Sequence, residues 1–170
     1  MPKDTVVASE ALTLGGGFAG LIPHAQPCDW LSVTGGAIGG GIPIATGAAV
    51  GLRAIGQGHR RVINLQADGS AAYTLQGLWT QAREKLPVTT VILNNRSYAI
   101  LLGEYAKVGA KPGKTAEAMM SLDNPPIAWA ELARGFGVEG IVAETLEAFE
   151  QALTHALGVA GPVLIDLRFS

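Results

Sequence analysis

Two short polar motifs could hold a metal ion, and each directly follows an apolar, strand-like run. Asp68-Gly69-Ser70 comes after the run 61–66, and Asn94-Asn95 comes after the run 88–93. A helical stretch at 72–86 separates them, so this part of the chain is predicted to form a strand, a helix and a strand. Parallel strands end at the same edge of a sheet, so the Asp68 loop should lie beside the Asn pair. A carboxylate and an amide carbonyl there can hold a hard cation such as Mg2+, which takes oxygen ligands.

The rest of the chain also alternates between predicted strands and predicted helices. This alternation favours an α/β fold, a doubly wound parallel sheet of about six strands with helices on both faces. Such sheets bind ligands beyond the carboxyl ends of their strands. The predicted strands are 5–9, 30–33, 61–66, 88–93, 138–142 and 162–167; the predicted helices are 42–55, 72–86, 127–136 and 146–157; 14–28 is predicted to be a loop or broken helix, 34–41 a Gly-rich turn and 106–124 a long loop or lid.

Composition bounds the class of protein. The chain has 170 residues, which predicts one domain, and only 15% of them are charged, against about 25% in a typical protein. So few charges indicate a surface that is partly buried against partners, although a Gly- and Ala-rich domain with a neutral surface is the alternative. The net charge of −2 gives no basic footprint for nucleic acid, and no apolar run reaches the length of a membrane span. The single cysteine, Cys28, fits a reducing, cytoplasmic location and is read as structural.

The spacing of the two polar motifs is similar to that in a known family. Asn95 follows Asp68 by 27 residues. The segment 67–101 resembles the thiamin diphosphate enzymes of the acetolactate synthase and benzoylformate decarboxylase branch, in which a double Asn follows a Gly-Asp-Gly motif at this distance. Ala67 stands where the first Gly of that motif usually sits, and alanine is small enough to preserve the turn. The resemblance implies that residues 1–170 form one diphosphate-binding (PP) domain, without the pyrimidine-binding and central domains.

The resemblance also implies a set of cofactor and metal ligands. Asp68, Asn95 and the backbone carbonyl of Ser97 would bind Mg2+. The diphosphate would lie at the start of the helix after Asp68, where free N–H groups favour an anion. Asp68-Gly69 alone could be only a turn, Ser70 only a helix cap and Tyr98 only core packing. The cofactor-binding residues expected in this region are Gly69, Ser70, Ala71, Asn95 and Tyr98, with a weaker match at 10–13.

A second family feature matches the Gly-rich turn at 34–41. The resemblance implies that the backbone carbonyl of Gly36 accepts a hydrogen bond from the aminopyrimidine ring of the cofactor. Ile38, the predicted catalytic residue, would wedge between the two cofactor rings and bend the cofactor. The alternative is a Gly-rich turn with a core isoleucine. A dinucleotide-binding domain is not favoured, because Gly15-Gly16-Gly17 does not supply its glycine pattern in the right place.

The predicted function is therefore that of one domain of a thiamin diphosphate- and Mg2+-dependent enzyme acting on a small 2-oxo acid. Such enzymes activate the cofactor through a Glu on a separate pyrimidine-binding domain, to which nothing here can be matched. The chain should thus be inactive alone and should form a homo-oligomer. Alternatives are the small subunit of a split decarboxylase, similar to sulfopyruvate decarboxylase, and a non-catalytic assembly module. Substrate or the thiazolium ring would be faced by Ile100, Leu101 and Tyr105, or else these residues would form an apolar contact with the partner domain.

The histidines show no spacing typical of metal or catalytic ligands; they are His24, His59 and His155.

Overall fold

The fold is a single parallel sheet covered by helices. A computed structural model describes residues 1–21, 23 and 25–169. Across these residues, six strands and seven α-helices are present, and the strand order is β2-β1-β3-β4-β6-β5. The strands are β1 (Thr5–Glu10), β2 (Cys28–Ser32), β3 (Val62–Ala67), β4 (Val88–Asn94), β5 (Glu139–Ala143) and β6 (Val163–Arg168). The helices are α1 (Gly41–Ala54), α2 (Asp68–Thr74), α3 (Gly77–Arg83), α4 (Ala99–Lys107), α5 (Lys114–Met120), α6 (Trp129–Gly135) and α7 (Leu146–Gly158).

Apolar side chains cover both faces of the sheet, which confirms the predicted fold class. On one face α1, α2, α3 and α6 pack through a core that includes Ile42, Leu78, Trp129 and Ile92. On the other face α7 packs on β4, β5 and β6 together with side chains of the 3₁₀ turn Leu14–Gly20. The central strand β4 is buried along its whole length, as expected for a parallel strand with both faces covered.

Local sequence signals account for the ends of several elements. Thr145 caps α7, since its hydroxyl accepts a hydrogen bond from the N–H of Ala148 at 3.1 Å. Pro43 lies in the first turn of α1, where its missing N–H costs nothing. Gly137 follows the end of α6 with a φ of 80°, a conformation that glycine adopts without strain.

Two predicted elements were wrong in their extent. The helix expected at 72–86 begins earlier, at Asp68, and is divided into α2 and α3, so Asp68 is the first helical residue and not part of a loop. An acidic residue suits this first position because it faces the positive end of the helix dipole. The loop or lid expected at 106–124 instead contains the end of α4 and all of α5, whose Ala, Glu and Met residues favour a helix.

In the described part of the chain, none of the helices has both the length and the apolar character needed to cross a membrane.

Candidate functional site

The candidate site lies where the chain reverses its direction along the sheet. From β1 the chain continues to β2 on one side, whereas from β3 it continues to β4 on the other side. Ligands of doubly wound sheets bind at this kind of switch point, beyond the carboxyl ends of the strands. A cavity of about 40 Å³ opens there, enough for a few water-sized groups, since one water needs roughly 10–15 Å³. It is lined by Ala11, Leu12, Thr13, Leu14, Ile38, Ala67, Asp68, Gly69, Ser70, Leu93, Asn95, Ser97, Tyr98, Ala99 and Ile100.

Asp68 joins the start of α2 to the loop after β4. Its Oδ1 accepts from the N–H of Gly69 at 2.8 Å, and its Oδ2 accepts from the N–H of Arg96 at 2.7 Å. Burial raises the pKa of the Asp68 carboxyl above its usual range, although backbone N–H groups, led by that of Gly69, act in the opposite direction. A cation beside the carboxylate would favour its ionised form and so offset the cost of burying it.

The loop after β4 turns Asn95 and Ser97 into the cavity. Arg96 has a backbone φ of 56°, which is uncommon for a residue other than glycine. The turn is held by the Asn95 Oδ1, which accepts from the N–H of Ser97 at 3.1 Å. It is also held from outside, because Arg96 O accepts from the N–H of Leu122 at 2.8 Å. The predicted meeting of Asp68 with the Asn pair is therefore present.

These oxygens can serve a hard cation without a cluster of acidic side chains. The described residues contain no group of three or more His, Cys, Asp or Glu side chains placed to bind a metal. The oxygen-bearing residues that line the cavity instead include Asp68, with its one carboxylate, and Asn95 and Ser97, with amide and backbone carbonyl oxygens. Such a set suits Mg2+, which keeps several waters and commonly binds phosphate oxygens along with one or two carboxylates.

The start of α2 offers a hydrogen-bond donor, the hydroxyl of Ser70, which the described residues leave without a partner. Ser70 is 1% exposed, and its hydroxyl has no hydrogen-bond partner among the described residues. A buried hydroxyl without a partner is costly, so a polar ligand in the cavity would relieve that cost. Ala71 is also in this first turn, but its side chain packs in the core with Ile42, which leaves only its backbone to face an anion. The residues present therefore fit an anionic group beside a cation.

Gly69 and Tyr98 are packed against each other at the mouth of this region. A Cβ atom on Gly69 would lie 2.5 Å from Cε1 of the Tyr98 ring, so the ring can occupy its place only over a glycine. Burial is the main cause that raises the pKa of the Tyr98 hydroxyl, and the charges of nearby Tyr73 and Asp68 raise it further. That hydroxyl is therefore a hydrogen-bond donor at neutral pH.

The Gly-rich turn brings Ile38 to the same cavity. Gly35 and Gly36 have φ values of 65° and 67°, a backbone shape that glycine permits at little cost. Ile38 lines the cavity and is 46% exposed, so it is not the core residue that the alternative interpretation required. Gly36 does not line the cavity and lies exposed two residues away.

Glu10 is the first residue of the segment 10–13, which the sequence matched only weakly to a cofactor-binding turn. It is buried at the end of β1, and its two carboxylate oxygens accept from the N–H groups of Gly39 at 2.7 Å and Gly41 at 2.8 Å. Its neighbours Ala11, Leu12 and Thr13 line the cavity, whereas Glu10 faces the glycine turn. The sequence pointed to cofactor contacts for this segment and did not predict that Glu10 would hold the glycine turn.

A second, larger cavity adjoins the first. Its volume is about 560 Å³, and it shares Ile38, Tyr98 and Ile100 with the first cavity. Leu101 and Tyr105, the other residues expected to face substrate or a partner domain, also line it. Most of its surface is apolar, with Glu104 as its acidic residue. Its lining is Ile38, Tyr73, Tyr98, Ile100, Leu101, Glu104, Tyr105, Ala116, Met119 and Met120.

His59 and His155 do not line either cavity. His59 is exposed near the amino ends of the strands, and His155 on α7 lies 2.8 Å from the exposed Glu139. His24 lies outside the described residues.

Comparison with known proteins shows the family to which the chain belongs. The family model described as "Thiamine pyrophosphate enzyme, C-terminal TPP binding domain" matches residues 16–167. A Mycobacterium tuberculosis protein provisionally named as an acetolactate synthase large subunit is 43% identical over 98% of this chain and 32% of its own length. Benzoylformate decarboxylase of Pseudomonas aeruginosa is 33% identical over 98% of this chain and 29% of its own length.

A solved structure shows the same relationship in three dimensions. The thiamine diphosphate-dependent 4-hydroxybenzoylformate decarboxylase of Rhodococcus jostii superposes with a TM-score of 0.81 at 31% identity, over 99% of this chain and 30% of that one. The chain thus spans about a third of the length of the relatives that it matches. The matched model covers most of the chain, which therefore belongs to the family of C-terminal TPP binding domains of thiamine pyrophosphate enzymes.

Proposed function

We propose that this chain binds the diphosphate of thiamin diphosphate through Mg2+, as one domain of an enzyme that acts on a 2-oxo acid. One observation carries the proposal: Asp68, Ser70, Asn95 and Ser97 all line one cavity at the switch point of the sheet, and the Ser70 hydroxyl has no partner among the described residues. In this assignment Asp68, Asn95 and the carbonyl of Ser97 bind the cation. Gly69, Ser70, Ala71 and Tyr98 then surround the diphosphate.

The ring-bearing half of the cofactor would lie against the glycine turn. Gly36 would offer its backbone carbonyl to the aminopyrimidine, and Ile38 would support the bent shape of the cofactor. When bound, the cofactor supplies the electron sink for loss or transfer of the 2-oxo acid carbon. The chain itself binds and orients it, and the apolar walls at Leu93 and Ile100 limit the access of water.

The substrate would occupy the larger cavity next to Ile38. The relatives named above include decarboxylases of benzoylformate and 4-hydroxybenzoylformate, which are 2-oxo acids with an aromatic group. The apolar lining of the 560 Å³ cavity suits an apolar side chain on the substrate. Decarboxylation and an acetolactate synthase-like carboligation both fit this arrangement, since the relatives include both kinds of enzyme.

Activity would require a further domain. Among the described residues that line the smaller cavity, Asp68 is the acidic one, and it is committed to the cation. The Glu that activates the cofactor would thus come from a pyrimidine-binding domain, most simply in a cytoplasmic homo-oligomer. A separate small subunit of a split decarboxylase would have the same need, whereas a non-catalytic assembly module would need no cofactor at all.

Calorimetric titration tests the proposal. The chain should bind thiamin diphosphate in the presence of Mg2+ and lose that binding when the cation is chelated. Asp68→Asn keeps the shape of the side chain but removes its charge. It should weaken Mg2+-dependent binding by more than about 100-fold, because loss of even an outer-shell partner of a metal costs about 10–100-fold.

Asp29→Asn is the matched control. Asp29 is an exposed aspartate on β2 that pairs with Arg60, well away from the cavity, and its variant should bind as wild type does. Unchanged cofactor binding by Asp68→Asn would contradict the cation assignment. Absence of binding by the wild-type chain would favour the assembly module.

A further inference from the structure

We infer that Glu10 is a positioning residue that fixes the Gly-rich turn at 34–41, which carries Gly36 and Ile38, against the ring-bearing half of the cofactor. Thr74 on α2 is its counterpart. The inference rests on the proposed function and extends it to side chains that do not touch the cofactor. It gives a reason for an acidic side chain buried beside the site but turned away from the cavity.

The contacts of Glu10 are all with donors. Besides the N–H groups of Gly39 and Gly41, its Oε2 accepts from Nε2 of Gln66 at 2.8 Å. Glu10 is 2% exposed and Gln66 is fully buried, so water cannot replace these bonds. An acceptor-only carboxylate matches such a ring of donors, whereas an amide in its place would direct N–H groups at another donor.

The turn is also in close contact with the elements on either side. A Cβ on Gly41 would lie 2.1 Å from Oε1 of Gln66 on β3. A Cβ on Gly39, whose φ is 84°, would lie 2.7 Å from Cβ of Tyr73 on α2. The turn therefore packs closely between β1, β3 and α2, and this packing requires glycine at positions 39 and 41.

Thr74 holds the same turn from the opposite side. Its hydroxyl donates to the carbonyl of Gly39 at 2.7 Å. Gly39 is thus bonded through its N–H to β1 and through its C=O to the last residue of α2, the helix that begins at Asp68. The turn that carries Ile38 and the helix that carries the cation ligand are therefore joined by side-chain hydrogen bonds.

This arrangement predicts that substitutions in the turn's supports affect binding of the cofactor's rings and binding of its diphosphate differently. Neither Glu10 nor Thr74 lines the cavity that holds Asp68 and Ser70, and both bond to the turn. Weakening them should therefore affect binding of the rings and leave the diphosphate and cation contacts unchanged. Inorganic diphosphate with Mg2+ reports on the second part alone, and thiamin diphosphate with Mg2+ reports on both.

The decisive experiment compares these two ligands on Thr74→Val, Thr74→Ser and Glu10→Gln. Thr74→Val keeps the shape but loses the hydroxyl, whereas Thr74→Ser keeps the hydroxyl. Thr74→Val and Glu10→Gln should weaken thiamin diphosphate binding by about tenfold, the scale of one or two lost hydrogen bonds. Both should bind inorganic diphosphate within about twofold of wild type, and Thr74→Ser should match wild type for both ligands. The near-ultraviolet circular dichroism of the bound cofactor should change in the same two variants.

The affinities of these variants for the two ligands distinguish a failure of the inference from a failure of the proposed function. Equal weakening of both ligands, or wild-type affinity of Thr74→Val for thiamin diphosphate, would overturn the inference while leaving the proposed function intact. Failure of the wild-type chain to bind either ligand would overturn the proposed function and this inference with it. If Glu10→Gln does not fold, the pair Thr74→Val and Thr74→Ser still gives the answer, because Thr74 is only half-buried.

Discussion

The carboxylate of Asp166 accepts a hydrogen bond from Nδ2 of Asn94 at 2.8 Å, across 72 residues of sequence. Asp166 is fully buried on β6, and its other oxygen accepts from Nε of Arg168 at 3.0 Å. The Oδ1 of Asn94 in turn accepts from the N–H of Arg96 at 3.1 Å. Asn94 thus ties the loop after β4 to the neighbouring strand, while Asn95 lines the cavity.

Asp166→Ala should therefore loosen the loop after β4 as well as the sheet. It leaves the buried amide of Asn94 without an acceptor, and we expect a loss of about 2–4 kcal/mol in the free energy of unfolding. Binding of Mg2+ with thiamin diphosphate should weaken in the same variant. Urea denaturation and calorimetry measure the two effects. Glu144→Ala, which removes only the exposed partner of Arg168, should cost less than about 0.5 kcal/mol.

The meeting of Asp68 and Asn95 could be predicted because parallel strands necessarily end at the same edge of a sheet. The roles of Glu10, Thr74 and Asp166 could not, because each depends on the register of distant elements. Glu10 reaches Gly39 across 29 residues, and nothing local to either marks the contact. The helix α5 was missed since its surrounding Gly and Lys residues suggested a loop.

Gly69→Ala tests whether the ring of Tyr98, which packs on Gly69, contributes to the cofactor site. In an open helical position this change stabilises by roughly 0.5–1 kcal/mol, because glycine loses more backbone entropy on folding. At Gly69 the new methyl group would displace the ring of Tyr98, so binding of thiamin diphosphate should weaken. Gly47→Ala in α1, where a Cβ meets nothing within 4 Å, is the control and should raise stability without changing binding. Wild-type affinity in Gly69→Ala would show that Tyr98 does not contribute to the cofactor site.

Ile38→Ala should affect the shape of the bound cofactor more than the fold. The side chain is about half exposed, so its loss should change the free energy of unfolding by less than about 1 kcal/mol. We expect modest change in cofactor affinity, an altered circular dichroism of the bound cofactor and a large loss of turnover once the complementary domain is supplied. Equal turnover of variant and wild type in that reconstituted enzyme would show that Ile38 has no part in bending the cofactor.

The isolated chain should associate with itself. Large apolar side chains are exposed on three helices that cover one face of the sheet, including Val50 on α1, Trp79 on α3 and Leu132 on α6. Covering such side chains gains free energy, and a two-fold dimer is the commonest way for identical chains to do so. Analytical ultracentrifugation should detect a dimer, and Trp79→Lys should weaken it. A monomer at every concentration tested would count against this expectation.

The chain alone should release no CO2 from pyruvate or benzoylformate, even with thiamin diphosphate and Mg2+ bound. The acidic groups near the cofactor cavity are already engaged: Asp68 would bind the cation, Glu10 holds the glycine turn, and Glu104 pairs with Lys107 at 2.6 Å. Among the described residues that line the cavity, no carboxylate remains to exchange a proton with the pyrimidine ring. General acid–base catalysis of this kind is worth about 10²–10⁴-fold in rate. Adding a complementary domain that carries such a Glu should restore turnover, which a CO2-release assay would follow. Steady turnover by a verified monomer of this chain would instead require the activating acid to lie within these 170 residues.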